Sequence, residues 1–259
     1  LFGCFLGGLI AIPAFPIGTR RAHPRLVAMV ADARANALLG RSLGAGAALP
    51  LLETLPRLDP AEVPPAPEGF RLPEVAAEAI AVLQYTSGST SEPKGVVLGH
   101  RHLLSNARGI AHACRIDDAD GPTVTWLPPW HDMGLVGGLL VSFLAGHEAV
   151  VMSPAHFTAR PRRWLQAISR YRAFGSGAPD FAYALVAARA TPEEIARLDL
   201  STWRVAFDGA ERVRPRTLAR FVSTFAEAGF RETALGPCYG LAEATLAVTF
   251  GDDRVPPAR

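Results

Sequence analysis

Short uncharged runs alternate with stretches of helical periodicity over most of this chain, and no other feature restricts its fold as much. Residues 79–83 (Ala-Ile-Ala-Val-Leu) form the kind of apolar run that a strand buried on both faces requires. Residues 96–98, 123–127, 150–152 and 204–207 read as further strands. Between them, Leu103, Leu104, Ala107, Ile110 and Ala111 share one face of a helix over 102–114, and Trp164, Leu165 and Ile168 share one over 161–172. Leu218, Phe221, Val222 and Phe225 recur at helical spacing after Pro215, with Gly229 closing the helix. Thr191, Pro192 and Glu194 mark another helix start. Strands alternating with helices give an α/β fold of mostly parallel sheets layered with helices. Ligands of such sheets bind where strand C-termini open into loops, here the loops after Leu83 and Phe207.

The flanks say less. Residues 1–18 carry no charge but hold Gly3, Gly7, Gly8, Pro13 and Pro16, so a buried helix over 2–8 running into a core strand over 9–13 is expected instead of a membrane span. The chain opens on Leu1, not Met, which places the true N-terminus upstream. Leu26, Val27, Val30 and Ala33 give helical spacing within 25–39, and the Pro-rich stretch 45–73 reads as a surface connection. Residues 133–146 are uncharged but too short to cross a bilayer.

Composition excludes several functions. With 26 Lys and Arg against 24 Asp and Glu, the chain has no excess of basic charge that would point to nucleic acid. Three scattered cysteines (Cys4, Cys114, Cys238) fit neither a stapled secreted scaffold nor a metal site, and a reducing cytoplasm is the expected setting. His100 and His102 form the only close histidine pair, and no Cys or acidic residue stands near them in sequence. A serine-hydrolase elbow is absent.

Chemistry concentrates in residues 85–95, Tyr-Thr-Ser-Gly-Ser-Thr-Ser-Glu-Pro-Lys-Gly, between two strands. Its hydroxyls, glycine backbone and Lys94 can wrap a polyphosphate. Pro93 and Gly95 depart from a Walker A loop. On composition alone a polyphosphate cradle and a solvated polar turn both remain open.

This segment resembles the phosphate-binding signature of the adenylate-forming superfamily, which includes acyl-CoA synthetases, peptide-synthetase adenylation domains and fatty acyl-AMP ligases. Ser91 stands where that signature usually has Gly, and the match continues through Val96, Val97, Leu98, His100, Leu103, Leu104 and Asn106. Four more segments follow in order: 126–135 (Trp-Leu-Pro-Pro-Trp-His-Asp-Met-Gly-Leu), 175–183 (Gly-Ser-Gly-Ala-Pro-Asp-Phe-Ala-Tyr), 203–211 (Trp-Arg-Val-Ala-Phe-Asp-Gly-Ala-Glu) and 237–245 (Pro-Cys-Tyr-Gly-Leu-Ala-Glu-Ala-Thr). Their spelling is closest to fatty acyl-AMP ligases, including Ala242 where most of the superfamily has Thr. The resemblance covers essentially the whole chain.

The resemblance implies that Thr86, Ser87, Gly88, Ser89, Thr90 and Lys94 hold the phosphates of ATP. It assigns adenine to Gly209, Ala210, Glu211, Cys238, Tyr239 and Gly240, and Mg²⁺ to Glu243. His131, Asp132 and Met133, with a turn at Ser176, Gly177 and Ala178, would line the acyl pocket. The implied activity is ATP- and Mg-dependent conversion of a fatty acid to acyl-AMP, with transfer to an acyl carrier protein or a polyketide or peptide synthase module. The alternatives are transfer to coenzyme A, or a non-catalytic nucleotide- or acyl-binding fragment. A ribose-binding Asp, a hinge and the catalytic Lys lie downstream of the Glu243 segment in such enzymes, and the sequence stops at Arg259. The chain is therefore expected to be a partial N-terminal AMP-binding domain (1–259), truncated at both ends, that binds nucleotide weakly and adenylates poorly alone.

Overall fold

A computed structural model of the protein describes residues 1–16, 24–40, 54–86, 94–116 and 121–251. The chain divides into two compact units, residues 1–100 and 101–259.

In the first unit, helix α1 (Phe2–Leu6) buries only Cys4, while Leu6, Leu9 and Ile10 are about half exposed. The expected buried helix and core strand are thus corrected to a short surface helix and a single bridge, Ala11 beside Val82. Gly8 turns the chain at a φ of +66°, and Pro13 has no N–H to extend a ladder, so pairing stops at Ala11. Helix α2 (Pro24–Asp32) buries Leu26, Met29 and Val30 but ends well before Leu39, with Arg34 at a φ of +48°. Leu38–Leu39 (β1) then pairs parallel with Arg57–Leu58 (β2), and the rest of the expected Pro-rich connection is largely exposed where described. Ile80–Tyr85 (β3) and Gly95–Gly99 (β4) pair antiparallel as a separate two-stranded sheet. The expectation of parallel strands fails here because the connection is a loop, and parallel neighbours need a crossover of a dozen or more residues.

The second unit is the parallel α/β layer that the alternation predicts. Helix α3 (His100–Ala113) leads into it and buries Leu103, Ala107 and Ile110. The strands are β5 (Thr123–Thr125), β6 (Ala149–Val151), β7 (Gly175–Ala178), β8 (Val205–Asp208), β9 (Leu235–Gly240) and β10 (Ala247–Phe250). Their order is β10-β9-β8-β7-β5-β6, parallel throughout except for β10 at one edge. The connections carry a π-helix (Met133–Leu140) running into α4 (Val141–Leu144), then α5 (Pro154–Ala159), α6 (Arg162–Tyr171), α7 (Asp180–Arg189), α8 (Pro192–Ile195) and α9 (Pro215–Phe225).

Aromatic side chains fill the core. Trp164, Tyr183, Trp203, Phe221 and Phe225 are buried and meet mostly edge to face, as ring quadrupoles favour. Their polar ends are satisfied: Trp203 Nε1 donates to the Val205 carbonyl at 2.9 Å and Tyr183 Oη to the Phe207 carbonyl at 2.6 Å. Thr191 caps α8 by accepting from Glu194 N at 3.3 Å, and Gly229 adopts the positive φ (+84°) that its position after α9 calls for.

Candidate active site

The register of the second unit places four of the five sequence segments at one edge of the sheet. Val124 pairs with Ser176, Ala178 with Asp208, and Asp208 with Pro237, so β5, β7, β8 and β9 run in step and in the same direction. The chain leaves their C-terminal ends at residues 126–133, 179–181, 209–211 and 241–245. That edge is where parallel sheets bind ligands.

At the end of β8, Gly209 is buried against β9. A Cβ there would stand 2.6 Å from Cys238 Sγ and 3.0 Å from the Cys238 carbonyl, so only glycine fits. Ala210 follows at a φ of +66° and is exposed. Glu211 accepts from Phe181 N at 2.7 Å, which ties this loop to the first turn of α7. A second tie is stronger. Asp180, nearly fully buried, accepts from Arg214 N (2.8 Å), Arg214 Nη1 (2.9 Å) and Thr217 Oγ1 (3.1 Å). The 209–214 loop is therefore a fixed platform.

Tyr239 projects from β9 with 61% of its surface exposed, unusually open for an aromatic residue inside a sheet strand. Beyond it the chain closes a tight loop: Leu241 N donates to Leu246 O at 2.8 Å and Thr245 N to Ala242 O at 2.9 Å. A Cβ on Gly240 would meet Leu246 O at 1.9 Å. Thr245 is buried with a φ of +75°, a strained position for a β-branched residue, and such strain gathers at functional sites. Asn106 clamps the returning strand, donating to Ala247 O at 2.9 Å and accepting from Ala247 N at 3.0 Å. This loop presents Glu243 to solvent on the turn Ala242–Ala244.

Asp208 was not singled out from sequence. It is fully buried, and neither carboxylate oxygen finds a hydrogen-bond partner. Burial, with lesser contributions from the charges of Asp180 and Glu211, pushes its pKa up to about 7 against the opposing pull of Arg214. The same region holds Cys238, whose thiol burial and the Asp208 charge push up to about 12.

The end of β5 is built differently. Asp132 accepts from Met133 N at 2.6 Å and so opens the π-helix. His131 Nδ1 lies 2.7 Å from Asp132 Oδ1, and Met133 N lies 3.3 Å from the same nitrogen. Nδ1 cannot serve both contacts. The shorter one assigns the proton to Nδ1, donating to Asp132 and leaving Nε2 free on a half-exposed ring. That bond raises the His131 pKa, opposed by desolvation and aided by the carboxylate charge. Gly134 is required here, since a Cβ would lie 2.1 Å from the Pro128 carbonyl. Met133 is buried beside it.

Residues 175–178 are corrected from a turn to strand β7. Ser176 is buried within the sheet, where its hydroxyl accepts from Trp164 Nε1 at 2.7 Å and donates to the Val124 carbonyl at 2.6 Å. Gly177 is small because a Cβ would stand 2.7 Å from Phe207 Cβ on the next strand. Ala178 is fully buried.

Of the phosphate segment, Ser87, Gly88, Ser89 and Thr90 lie outside the described residues. Its two ends belong to the first unit: Thr86 N donates to Lys94 O at 3.4 Å, Arg25 donates to the Thr86 carbonyl, and the Lys94 side chain is exposed. Tyr85, just before the loop, donates to Asp32 at 2.5 Å, and Gly95, just after it, leaves room for the Tyr85 ring.

The residues suit a magnesium nucleotide. Among those described, no three His, Cys, Asp or Glu side chains cluster to enclose a metal. Magnesium held by one carboxylate together with nucleotide phosphates needs no such cluster, and the exposed Glu243 is a donor of that kind.

A parallel α/β sheet carrying an open aromatic ring, a glycine floor and an exposed carboxylate at one edge defines a nucleotide-binding enzyme fold. The family model for AMP-binding enzymes matches residues 1–259. The medium-chain-fatty-acid acyl-carrier-protein ligase JamA of Moorena producens is 43% identical over 96% of this chain and 44% of its own length. The crystal structure of a fatty acid AMP ligase from Legionella pneumophila superposes with a TM-score of 0.86 at 37% identity, covering 96% of this chain and 44% of that one. A fatty acyl-adenylate ligase of the same organism, solved with acyl adenylate and pyrophosphate, gives a TM-score of 0.84 at 37% identity, again over 96% and 44%. The chain belongs to the AMP-binding enzyme family of adenylate-forming proteins. It spans less than half the length of these relatives. Among the described residues, no helix is long and apolar enough to cross a membrane.

Proposed function

We propose that this chain carries the nucleotide- and acyl-binding part of a fatty acyl-AMP ligase. The observation that carries the reading is the alignment of four chemical segments at the C-terminal ends of β5, β7, β8 and β9. In the proposed reaction a fatty-acid carboxylate oxygen attacks the α-phosphorus of ATP, a bond to that phosphorus forms, and pyrophosphate leaves with the displaced bond's electrons. Enzymes accelerate such displacements mainly by positioning and by neutralising charge.

Tyr239 offers its open face to adenine while Gly209 and Ala210 let the base approach the backbone. Thr86, Lys94 and the intervening residues 87–90 hold the phosphates. Glu243 would hold Mg²⁺, which neutralises charge on the phosphates. The free Nε2 of His131, kept protonated on Nδ1 by Asp132, is placed to hold the substrate carboxylate beside Met133, and the backbone of 177–178 borders the acyl chain. Ser176 contributes to this only through the sheet, because both its hydrogen-bonding roles are taken inside the core. The acceptor in this reading is the thiol of an acyl carrier protein or synthase module, in keeping with the name of the JamA relative.

The test is a single-turnover incubation with ATP, Mg²⁺ and either a medium- or a long-chain fatty acid, followed by mass spectrometry. Holo-acyl carrier protein and coenzyme A are offered in separate reactions. Acyl-AMP that depends on the fatty acid and falls with Glu243→Gln supports the reading, as does acylation of the carrier alone. Acyl-CoA as the product moves the assignment to an acyl-CoA synthetase. No detectable ATP binding by calorimetry at millimolar nucleotide leaves a non-catalytic fragment.

A further inference from the structure

A groove of about 700 Å³ lies within the second unit, away from every segment used above, between α6, the end of α7 and the α8 segment. Its floor is apolar, with Leu165, Val186, Leu198 and Phe225, and its walls carry Arg160, Arg162, Arg170, Arg189 and Arg197. Only Arg162 has an acidic partner, Glu194 on the facing wall. No acidic side chain among the described residues pairs with the other four, all of which are exposed. Arg170 rests over the Tyr171 ring at 5.5 Å, which leaves its charge uncompensated. The chain as a whole has a net charge of +2, so this is a local concentration of positive charge.

The spread of the arginines selects the occupant. Arg162 and Arg170 stand eight residues apart on one helix, or roughly 12 Å at 1.5 Å per residue, and Arg189 and Arg197 face them from the other side. That distance exceeds the reach of one phosphate or carboxylate, and an apolar floor has nothing to offer a free inorganic polyanion. Guanidinium groups pair well with carboxylates, and an apolar trough with charged walls matches an amphipathic helix laid into a groove. We propose that this groove docks an acidic amphipathic helix of a partner protein, its apolar ridge on Leu165, Val186, Leu198 and Phe225 and its carboxylates on Arg160, Arg170, Arg189 and Arg197. The proposal is independent of the adenylation reading and survives or fails separately.

The test is fluorescence anisotropy of the whole chain with a labelled synthetic peptide of about four helical turns, bearing Leu at i, i+3, i+4 and i+7 and Glu on its flanks. A peptide of identical composition with the Leu stripe scrambled is the control. Saturable binding should weaken at least tenfold on scrambling and at least tenfold in Arg189→Glu/Arg197→Glu. It should return to within about threefold in Arg189→Lys/Arg197→Lys and fall as salt rises, because exposed charges are screened. Circular dichroism confirms that these surface variants fold. Equal binding of the scrambled peptide overturns the proposal in favour of a general polyanion surface. Displacement of the peptide by inorganic pyrophosphate at micromolar concentration makes the groove a small-anion site. Binding to phosphatidylglycerol vesicles with none to the peptide makes it a lipid surface. Absence of saturable peptide binding to the unmodified chain also ends it.

Discussion

Strands β7 and β8 lie side by side, and the polar residues they bury meet opposite fates. On β7 the Ser176 hydroxyl accepts from Trp164 and donates to Val124, so both its hydrogen-bonding capacities are used in the core. On β8 the Asp208 carboxylate is equally buried and has no partner for either oxygen. The first arrangement stabilises the sheet. The second works against it, and together with the positive φ of Ala210 and Thr245 it marks the β8–β9 end as the place where the fold has accepted local cost. A sheet edge organised for ligand binding shows this asymmetry, whereas a uniformly satisfied edge would be structural throughout.

The largest expected effect comes from relieving the unsatisfied side. The Asp208 pKa of about 7 lies above the ordinary Asp value near 4, so the folded protein binds more protons than the unfolded one between those pH values. Stability contributed by the neutral carboxyl is present in acid and is lost as pH rises from about 4 to about 7. Asp208→Asn should therefore be more stable than the parent above pH 7, by up to about 4 kcal/mol at 1.36 kcal/mol per pKa unit. The gain should vanish towards pH 4. Urea unfolding across this range measures it, and a gain that does not change with pH breaks the contrast.

Ser176→Ala should act in the reverse sense, costing about 2–3 kcal/mol at every pH because the Trp164 N–H and the Val124 carbonyl lose a buried partner. A loss below about 0.5 kcal/mol would mean that the serine is not the strut described here. Tyr239→Leu separates binding from folding. Stacking of a base on an aromatic ring is worth ~1–3 kcal/mol, so ATP affinity should fall roughly tenfold with stability nearly unchanged. Equal affinity would remove adenine from this face.

The smallest effect concerns His131. Its raised pKa keeps the imidazolium above pH 6.5, and fatty-acid affinity should fall as pH rises through that raised value. Asp132→Asn removes the main cause of the shift and should move the fall to lower pH. A pH profile identical in the two proteins would detach His131 from the substrate carboxylate.

Much of this was legible in the sequence. The helix periodicities at Trp164, Leu165 and Ile168 and at Phe221 and Phe225 place buried faces correctly because spacing alone fixes a helix face. The parallel layer followed from alternation, and the His131–Asp132 pair from adjacency. The antiparallel β3–β4 hairpin was missed because strand direction depends on the connection, not on the apolar run itself. Residues 175–178 read as a turn because Gly-Ser-Gly-Ala has turn composition, while its smallness answers the bulk of Phe207 on a neighbouring strand. Asp208, the Asp180–Arg214 lock and the strain at Thr245 arise from packing between distant segments, which leaves no local signal. An Asp at a strand end was the only hint.

Photolabelling with 8-azido-ATP, followed by peptide mapping, tests most directly where the nucleotide binds. Labelling of residues 208–211 and 237–245 that excess ATP suppresses is the predicted result. Labelling confined to other segments, or labelling of these that excess ATP leaves unchanged, would contradict a nucleotide site at the C-terminal ends of β8 and β9.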